Sequence, residues 1–222
     1  MGSTWPGYYT DSRGREAIAI RAEGTRLSVE IRGVSFTGWD FDDLEPPVGT
    51  DVAAAFPTDH GTLTDYELGW QMPVQVVRAG AELVATLSCQ LILASPATVG
   101  GRGVEELTLS LGLPGGKPIA STRPHGLFED ALADIQRQLP PDTLLKACIS
   151  CAFSDYHPAG SGLSGSLACF RDNKAAYLQV TGKRELFQVW GTRTEFVLET
   201  HLCPHYARRG AHAGYRGGFP AP

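Results

Sequence analysis

Four of the five cysteines in this 222-residue chain lie in its last third, and they constrain the fold more than any other feature. Cys148 and Cys151 form a Cys-x2-Cys pair, and Cys169 and Cys203 follow. A Cys-x2-Cys pair places two thiolates on one tight turn, which is half of a tetrahedral Zn²⁺ site, and the two later cysteines can supply the other half. The pattern predicts one structural zinc ion bound by all four thiolates.

Other interpretations of the cysteines stay open at this point. An iron–sulfur cluster also takes four thiolates, a Cys-x2-Cys pair also serves as a redox dithiol, and the thiols could be free with no shared site. His157, His201 and His205 lie nearby in the sequence and could replace a cysteine or hydrogen-bond to a thiolate. A closed four-thiolate site leaves no open coordination position, which argues against hydrolysis at the metal.

Composition indicates a globular protein that acts away from membranes. The hydrophobic content of 42% is ordinary for a globular domain. The N-terminal residues lack a basic segment followed by an apolar run, and the most apolar run, residues 83–94, is too short and too polar to span a bilayer. We therefore expect a cytoplasmic protein without membrane contact. In the reducing cytosol, clustered cysteines bind metals more often than they form disulfides.

Charge is divided unevenly along the chain. Residues 1–145 carry 10 Lys/Arg and 19 Asp/Glu, a net charge of −9, whereas residues 146–222 carry 9 Lys/Arg and 5 Asp/Glu, a net charge of +4. The acidic half opposes binding to nucleic acid, which makes that partner class unlikely on electrostatic grounds. Another protein is the partner class that the sequence favours.

The first part of the chain has the pattern of antiparallel β-structure. Residues 16–21 and 25–32 alternate apolar and polar side chains around a Glu23-Gly24 turn, and residues 63–71, 74–78, 83–93 and 104–111 continue the alternation. Pro73 marks a predicted break between two of these strands. Cys89 falls on the apolar face of its strand, so we expect it in the core and not among the metal ligands. Residues 1–120 are predicted to form a β-sandwich or barrel-like module.

The pattern becomes helical after Pro124. Apolar residues recur at helical intervals over 128–139, a second helix is expected from Asp172 to about residue 180, and a third over residues 183–200. Residues 124–206 are thus predicted to form an α-rich module held by the zinc ion, and residues 207–222 a flexible tail. The predicted fold class is α+β.

Two further motifs invite a functional interpretation. Residues 160–165 match G-x-G-x-x-G, but a dinucleotide site requires this motif to follow a strand and open a helix, so a chance match is favoured. Residues 39–45 form an acidic knot, Trp-Asp-Phe-Asp-Asp-Leu-Glu. A capped surface turn explains the knot best, although aromatic residues flanked by carboxylates also suit a contact patch for a basic partner.

Several segments resemble a known family. They are Cys-Ile-Ser-Cys-Ala-Phe-Ser-Asp-Tyr from Cys148, Leu-Ala-Cys-Phe-Arg around Cys169, Glu-Thr-His-Leu-Cys-Pro before residue 205, and Asp-Phe-Asp-Asp-Leu-Glu-Pro from Asp40. Together they resemble an uncharacterised family of bacterial proteins, mainly from actinobacteria, with four cysteines in the C-terminal half. The resemblance implies that the four cysteines act as one site, and it implies no activity.

These observations lead to two functional hypotheses of different class. The first is a non-catalytic, zinc-stabilised binding or accessory protein, for example of the immunity type or a pathway accessory. The second is an enzyme with a site at the junction of the two modules, in which zinc is only structural. Its candidate acids and bases are Asp155, Tyr156, His157 and His201.

Overall fold

A computed structural model describes residues 2–95, 99, 104–210 and 218–220. The strands are β1 (Ser3–Asp11), β2 (Gly14–Glu23), β3 (Arg26–Ile31), β4 (Val34–Gly38), β5 (Thr58–Asp59), β6 (Thr62–Leu63), β7 (Tyr66–Arg78), β8 (Ala81–Ala94), β9 (Val104–Gly112), β10 (Ile119–Ala120), β11 (Thr143–Leu145), β12 (Ser154–Asp155), β13 (Leu167–Cys169) and β14 (Glu195–Val197). The helices are α1 (Phe128–Gln138), α2 (Lys174–Tyr177) and α3 (Lys183–Val189), and 3₁₀ turns cover Cys148–Ser150 and Trp190–Thr192.

One antiparallel sheet dominates the molecule. Its strands follow the order β10-β9-β8-β7-β1-β2-β3-β4, and β11 pairs with the far end of β7. The β7–β8 hairpin forms the longest pairing, with a turn at Ala79 and Gly80, both of which have positive φ. Positive φ at both central residues matches the right-handed twist of the two strands. This hairpin therefore sets the register of the centre of the sheet.

Buried and exposed side chains alternate along the strands, because only one face of the sheet is covered. Leu87, Cys89 and Leu91 of β8 are buried on the inner face, and Ser88 and Gln90 lie on the outer face between them. The loop that follows β4, helix α1 and parts of the C-terminal segment pack on the inner face and share one hydrophobic core with it. The prediction that Cys89 is a core residue is confirmed, and burial raises the pKa of its thiol.

The strand and helix predictions from periodicity are largely confirmed. Strands β2, β3, β8 and β9 and helix α1 lie where the alternation and the helical spacing placed them. The predicted break at Pro73 is wrong, because β7 continues through it. Pro73 lies between the residues that pair with β1, which end at Trp70, and those that pair with β11, which begin at Val76. Among the described residues, no strand pairs with β7 on that side at residue 73, so a missing N–H is tolerated there.

The predicted fold class is wrong. The first part of the chain forms one open sheet and not a sandwich or barrel, and residues 124–206 are not α-rich, since they hold α1, two short helices and four short strands. The predicted helix over residues 183–200 ends at Val189, and Glu195–Val197 instead pairs with β13. The predicted zinc-stabilised character also finds no support, because within the described residues no three His, Cys, Asp or Glu side chains are placed to hold a metal ion.

The C-terminal residues run back onto the 3₁₀ turn at Cys148–Ser150. The amide of Ala152 donates to Ala207 O at 2.7 Å, and the amide of Arg209 donates to Ser150 O at 2.8 Å. Phe219 is buried in the main core. Of the predicted flexible tail, residues 211–217 and 221–222 lie outside the described residues. No helix in the described part of the chain is long and apolar enough to cross a membrane.

Two buried carboxylates hold the glycine-rich loop of residues 160–165 against the sheet. The Asp40 carboxylate accepts hydrogen bonds from the Ser164 amide at 3.0 Å and the Ser164 hydroxyl at 2.7 Å. The Glu199 carboxylate accepts from the Gly165 amide at 3.1 and 3.0 Å. We call Asp40, Glu199, Ser164 and Gly165 the loop anchor. The loop anchor links Asp40, which follows β4, to the glycine-rich loop, and it links that loop to Glu199 near the C-terminus.

The glycines of this loop serve close packing. A Cβ atom on Gly162 would lie 2.4 Å from Asp40 Oδ2, and Gly165 has a φ of 71° with its Cβ position 3.0 Å from Trp39 O. The loop leads into strand β13 and not into a helix. The glycines of the G-x-G-x-x-G match therefore allow the acidic knot to pack closely on the loop, and they do not form a nucleotide site.

Removing the Asp40 carboxylate should destabilise the protein. Asp40→Ala leaves the Ser164 amide and the Phe41 amide without their acceptor in a buried place, which should lower the free energy of unfolding by roughly 1–3 kcal/mol. Asp59→Ala, at an exposed position of β5, is the matched control and should change it by less than about 0.5 kcal/mol. Urea denaturation measures both variants, and equal stability of the two would contradict the anchoring role.

The same carboxyl group should make stability depend on pH. Burial, followed by the nearby Asp42 carboxylate, raises the pKa of Asp40 to about 8, whereas an unfolded chain gives about 4. The folded state then holds a proton that the unfolded state releases, so the stabilisation is complete below about pH 4 and is lost as pH rises to about 8. Asp40→Asn cannot titrate, so its free energy of unfolding should decrease less between about pH 5 and 8. Identical pH profiles would refute this.

Candidate functional site

The turn that carries Cys148 and Cys151 packs against the segment that carries Cys203. Cys148 lies in a 3₁₀ turn, and its amide donates to His201 O at 2.6 Å. Cys169 ends β13, and it shares a small buried cluster with Cys148, Leu167 and Val197. The fold thus brings the elements that carry the four predicted ligands to the same region.

The four thiols lie close enough to influence one another electrostatically. Burial raises the pKa of Cys148 strongly, and the neighbouring Cys151, Cys203 and Cys169 raise it further. Burial also raises the pKa of Cys169, while Arg171 opposes the shift, first through a backbone hydrogen bond and then through its charge. All five cysteines of the chain are free thiols. Since their side chains do not form a metal-holding group in the described structure, the four-cysteine zinc site stays a prediction.

None of the histidines considered as replacement ligands joins a metal-holding group within the described residues. The His157 ring packs edge-on against Trp190, with ring centroids 4.8 Å apart, and its Nδ1 accepts a hydrogen bond from the Ala159 amide at 3.2 Å. His201 and His205 are exposed. His201 lines a surface depression beside Trp5.

The four acid–base candidates are not assembled at one site. Asp155, Tyr156 and His157 line a depression of about 340 Å³, whereas His201 lies in a different one. The Tyr177 hydroxyl donates to Asp155 Oδ2 at 3.1 Å, and the Tyr156 hydroxyl donates to Glu199 Oε1 at 2.9 Å. Both carboxylates are buried. The contacts of Asp155 and Tyr156 therefore hold the C-terminal segment together.

The acidic knot caps its own turn. The Asp43 carboxylate accepts hydrogen bonds from the Trp39 amide at 3.1 Å and the Asp40 amide at 2.8 Å. Phe41 is buried and stacks on Trp70 with ring centroids 4.1 Å apart, but the Trp39 side chain is 60% exposed. The capped-turn interpretation thus accounts for the Asp43 carboxylate, and it leaves the exposure of Trp39 to be explained.

Trp39 belongs to a surface that we call the aromatic patch, which consists of Trp39, Phe196, Trp190 and Phe187. Trp39 and Phe196 line one depression of about 340 Å³ above Gly165. Trp190 lies 6.1 Å from Phe196 between ring centroids, and His157 lies between Trp190 and Phe187. The patch therefore joins Trp39 to residues 187–196, which lie far from it in the sequence.

Arginine side chains lie on the aromatic rings of this patch. The Arg193 guanidinium carbon is 4.6 Å from the Phe196 ring centroid and 5.5 Å from that of Trp190. The Arg26 guanidinium carbon is 5.5 Å from the Trp39 ring. The sequence singled out Trp39 but missed its neighbours, because residues 183–200 were assigned to one helix. Gly191 and the β-favouring pair Phe196 and Val197 were the signal that could have identified a strand there.

The zinc prediction has a direct test. Purified protein should contain one Zn²⁺ per chain by elemental analysis, and Cys151→Ser should lose that metal and destabilise the C-terminal region, because ligand binding and folding are coupled there. Cys89→Ser is the control, since it lies in the main core. It should keep the metal and cost about 1–3 kcal/mol for a buried hydroxyl. Metal-free wild type, or full zinc in Cys151→Ser, would rule the site out.

Comparison with known proteins yields a family and no activity. Neither the curated proteins nor the solved structures contain a match to this chain. One family model matches residues 3–154, a range that includes Cys148 and Cys151 but ends before Cys169 and Cys203. The chain belongs to DUF6304, a family of unknown function.

Proposed function

We propose that this protein is a non-catalytic binding or accessory protein that docks another protein on its aromatic patch. One observation carries the proposal. Every aromatic side chain that is exposed in the described part of the chain, namely Trp39, Phe187 and Phe196, lies on that patch. Exposed aromatic residues gathered in one place are typical of protein contact surfaces and are otherwise a liability in water.

The patch has the composition of an interaction hot spot. Tryptophan and arginine are enriched among residues whose removal costs a complex most, and here arginines lie on two tryptophans. Asp40 is buried, and the Asp43 carboxylate accepts from backbone amides. Arg26 and Arg193 bring positive charge to the aromatic rings. We therefore expect the partner to present apolar side chains with carboxylates among them, which replaces the basic partner that the acidic knot suggested.

Further parts of the proposal rest on the sequence. The net charge of −9 over residues 1–145 opposes nucleic acid as the partner. We place the protein in the cytoplasm of a bacterium, with a zinc ion bound by the four cysteines in a purely structural role. A zinc ion there would stabilise the β13–β14 region, which carries Phe196.

The proposal predicts which substitutions abolish partner binding. Trp39→Ala and Phe196→Ala should each weaken the complex by at least about 2 kcal/mol, because each removes an aromatic anchor at the centre of the contact. Val84→Ser is the matched control, since Val84 is 55% exposed on β8, away from the patch. Affinity capture from a lysate of the native cells, followed by titration of the captured partner, compares the four proteins.

Specific outcomes separate this function from the alternatives. A partner that binds wild type and Val84→Ser but not the two patch variants supports it. Equal binding by all four proteins would place the contact elsewhere. Turnover of a small molecule by the wild type, with no partner recovered, would favour the enzyme hypothesis instead.

A further inference from the structure

The outer face of the sheet carries a groove on the strands β2, β1, β7, β8 and β9. Its volume is about 590 Å³, within the usual range for a small-molecule site. The side chains that point outward into it are small or polar. Besides Tyr8 and Arg15, they are Pro6, Ala17, Gln71, Ser88, Gln90, Thr108 and Ser110.

One wall of the groove is held in a fixed arrangement. The Tyr8 ring lies on Gly69, where a Cβ atom would come within 2.2 Å of a ring carbon. Its hydroxyl donates to Glu67 Oε1 at 2.5 Å, and Gln90 Nε2 donates to the same oxygen at 2.8 Å. Glu67 Oε1 is therefore occupied by protein donors, and these hydrogen bonds together with the Arg15 charge lower the pKa of the Glu67 carboxyl.

Arg15 completes this wall and keeps its donors free. Its guanidinium carbon lies 3.5 Å from the Tyr8 ring centroid, so the planar group stacks on the ring. Within the described residues, the Arg15 guanidinium makes no hydrogen bond or ion pair to the protein. An arginine that is positioned by stacking presents its N–H groups in the geometry that matches a carboxylate or phosphate.

The floor of the groove offers neutral hydrogen-bonding groups. Gln71 Nε2 lies 3.3 Å from the Ser88 hydroxyl oxygen. The hydroxyls of Thr108 and Ser110 have no hydrogen-bond partner in the described part of the chain. Amide and hydroxyl side chains in a row suit the hydroxyl groups of a ligand, which both donate and accept.

We propose that this groove binds a small hydroxylated anion, with its carboxylate or phosphate on Arg15 and its hydroxyls along Gln71, Ser88, Thr108 and Ser110. Arg15 is the charged residue of the lining, so a cation is disfavoured. A second copy of the chain fits poorly, because sheets that pack face to face bury apolar side chains. The site is separate in residues from the aromatic patch and does not depend on the proposed function.

Calorimetric titration of the full chain with three probes tests the proposal. Glucuronate carries a carboxylate, glucose 6-phosphate carries a phosphate, and glucose carries neither. At least one anionic probe should bind about tenfold or more tightly than glucose, because a charge-assisted contact to arginine is lost in the neutral sugar. Which anion binds better distinguishes a carboxylate ligand from a phosphate ligand.

Substituted variants test whether the anionic probe binds in this groove. Arg15→Gln should weaken the anionic probe by about tenfold or more, and Thr108→Val should weaken it through the hydroxyl contact alone. Arg21→Gln, on the same strand but outside the groove lining, is the control and should bind as wild type. Since Arg15 is exposed, Arg15→Gln should denature in urea like wild type. Failure of both anions to bind at about 10 mM, or unchanged binding in Arg15→Gln, would overturn the proposal.

Discussion

The loop anchor is the contact on which the arrangement of this molecule depends. Asp40 follows β4 at one edge of the sheet, and Glu199 lies after β14 near the end of the chain. Their buried carboxylates accept hydrogen bonds from consecutive residues, Ser164 and Gly165, in a loop without regular structure. Both amides would lack an acceptor in this buried place if the carboxyl groups were removed, and water does not compete with these hydrogen bonds there.

The aromatic patch exists because of this anchor. Trp39 comes from the loop after β4, and Phe196 comes from β14, so 157 positions separate them in the chain. Gly165 lies beneath both in the depression that they line. A change that releases residues 164–165 would separate the two aromatic side chains, and the surface would be lost without any substitution in the patch. The groove on the outer face is built differently, since it uses side chains whose positions follow from strand register.

Periodicity predicted the parts of the fold where one pattern dominates. The alternation around Cys89 placed β8 and its buried face, and the spacing of Phe128, Leu132 and Ile135 placed α1. The same reasoning failed over residues 183–200, where Gly191 and the β-favouring Phe196 and Val197 divide a short helix from a strand. Apolar residues at mixed spacing fit both structures, and the pairing partner decides between them.

The two proposed functional surfaces were harder to predict from the sequence than the strands and helix α1. The acidic knot and the glycine-rich loop were both recognised as unusual, but neither pattern shows that Asp40 reaches Ser164, because 124 positions separate them. Likewise, Arg15 and Tyr8 stack through the pairing of β1 with β2, which depends on register and not on local sequence. The four cysteines predicted a shared metal site, and the structure brings their segments together without forming a metal-holding group among the described residues.

Hydrogen exchange at the amides of Ser164 and Gly165 tests the central claim most directly. Residue-resolved exchange, measured on the intact protein, should show both amides strongly protected although they lie in a loop, because each donates to a buried carboxylate. In Asp40→Ala the Ser164 amide should lose that protection, while amides of β8 keep theirs. Exchange at both amides as fast as in an exposed loop such as residues 48–51 of the wild type would contradict the account.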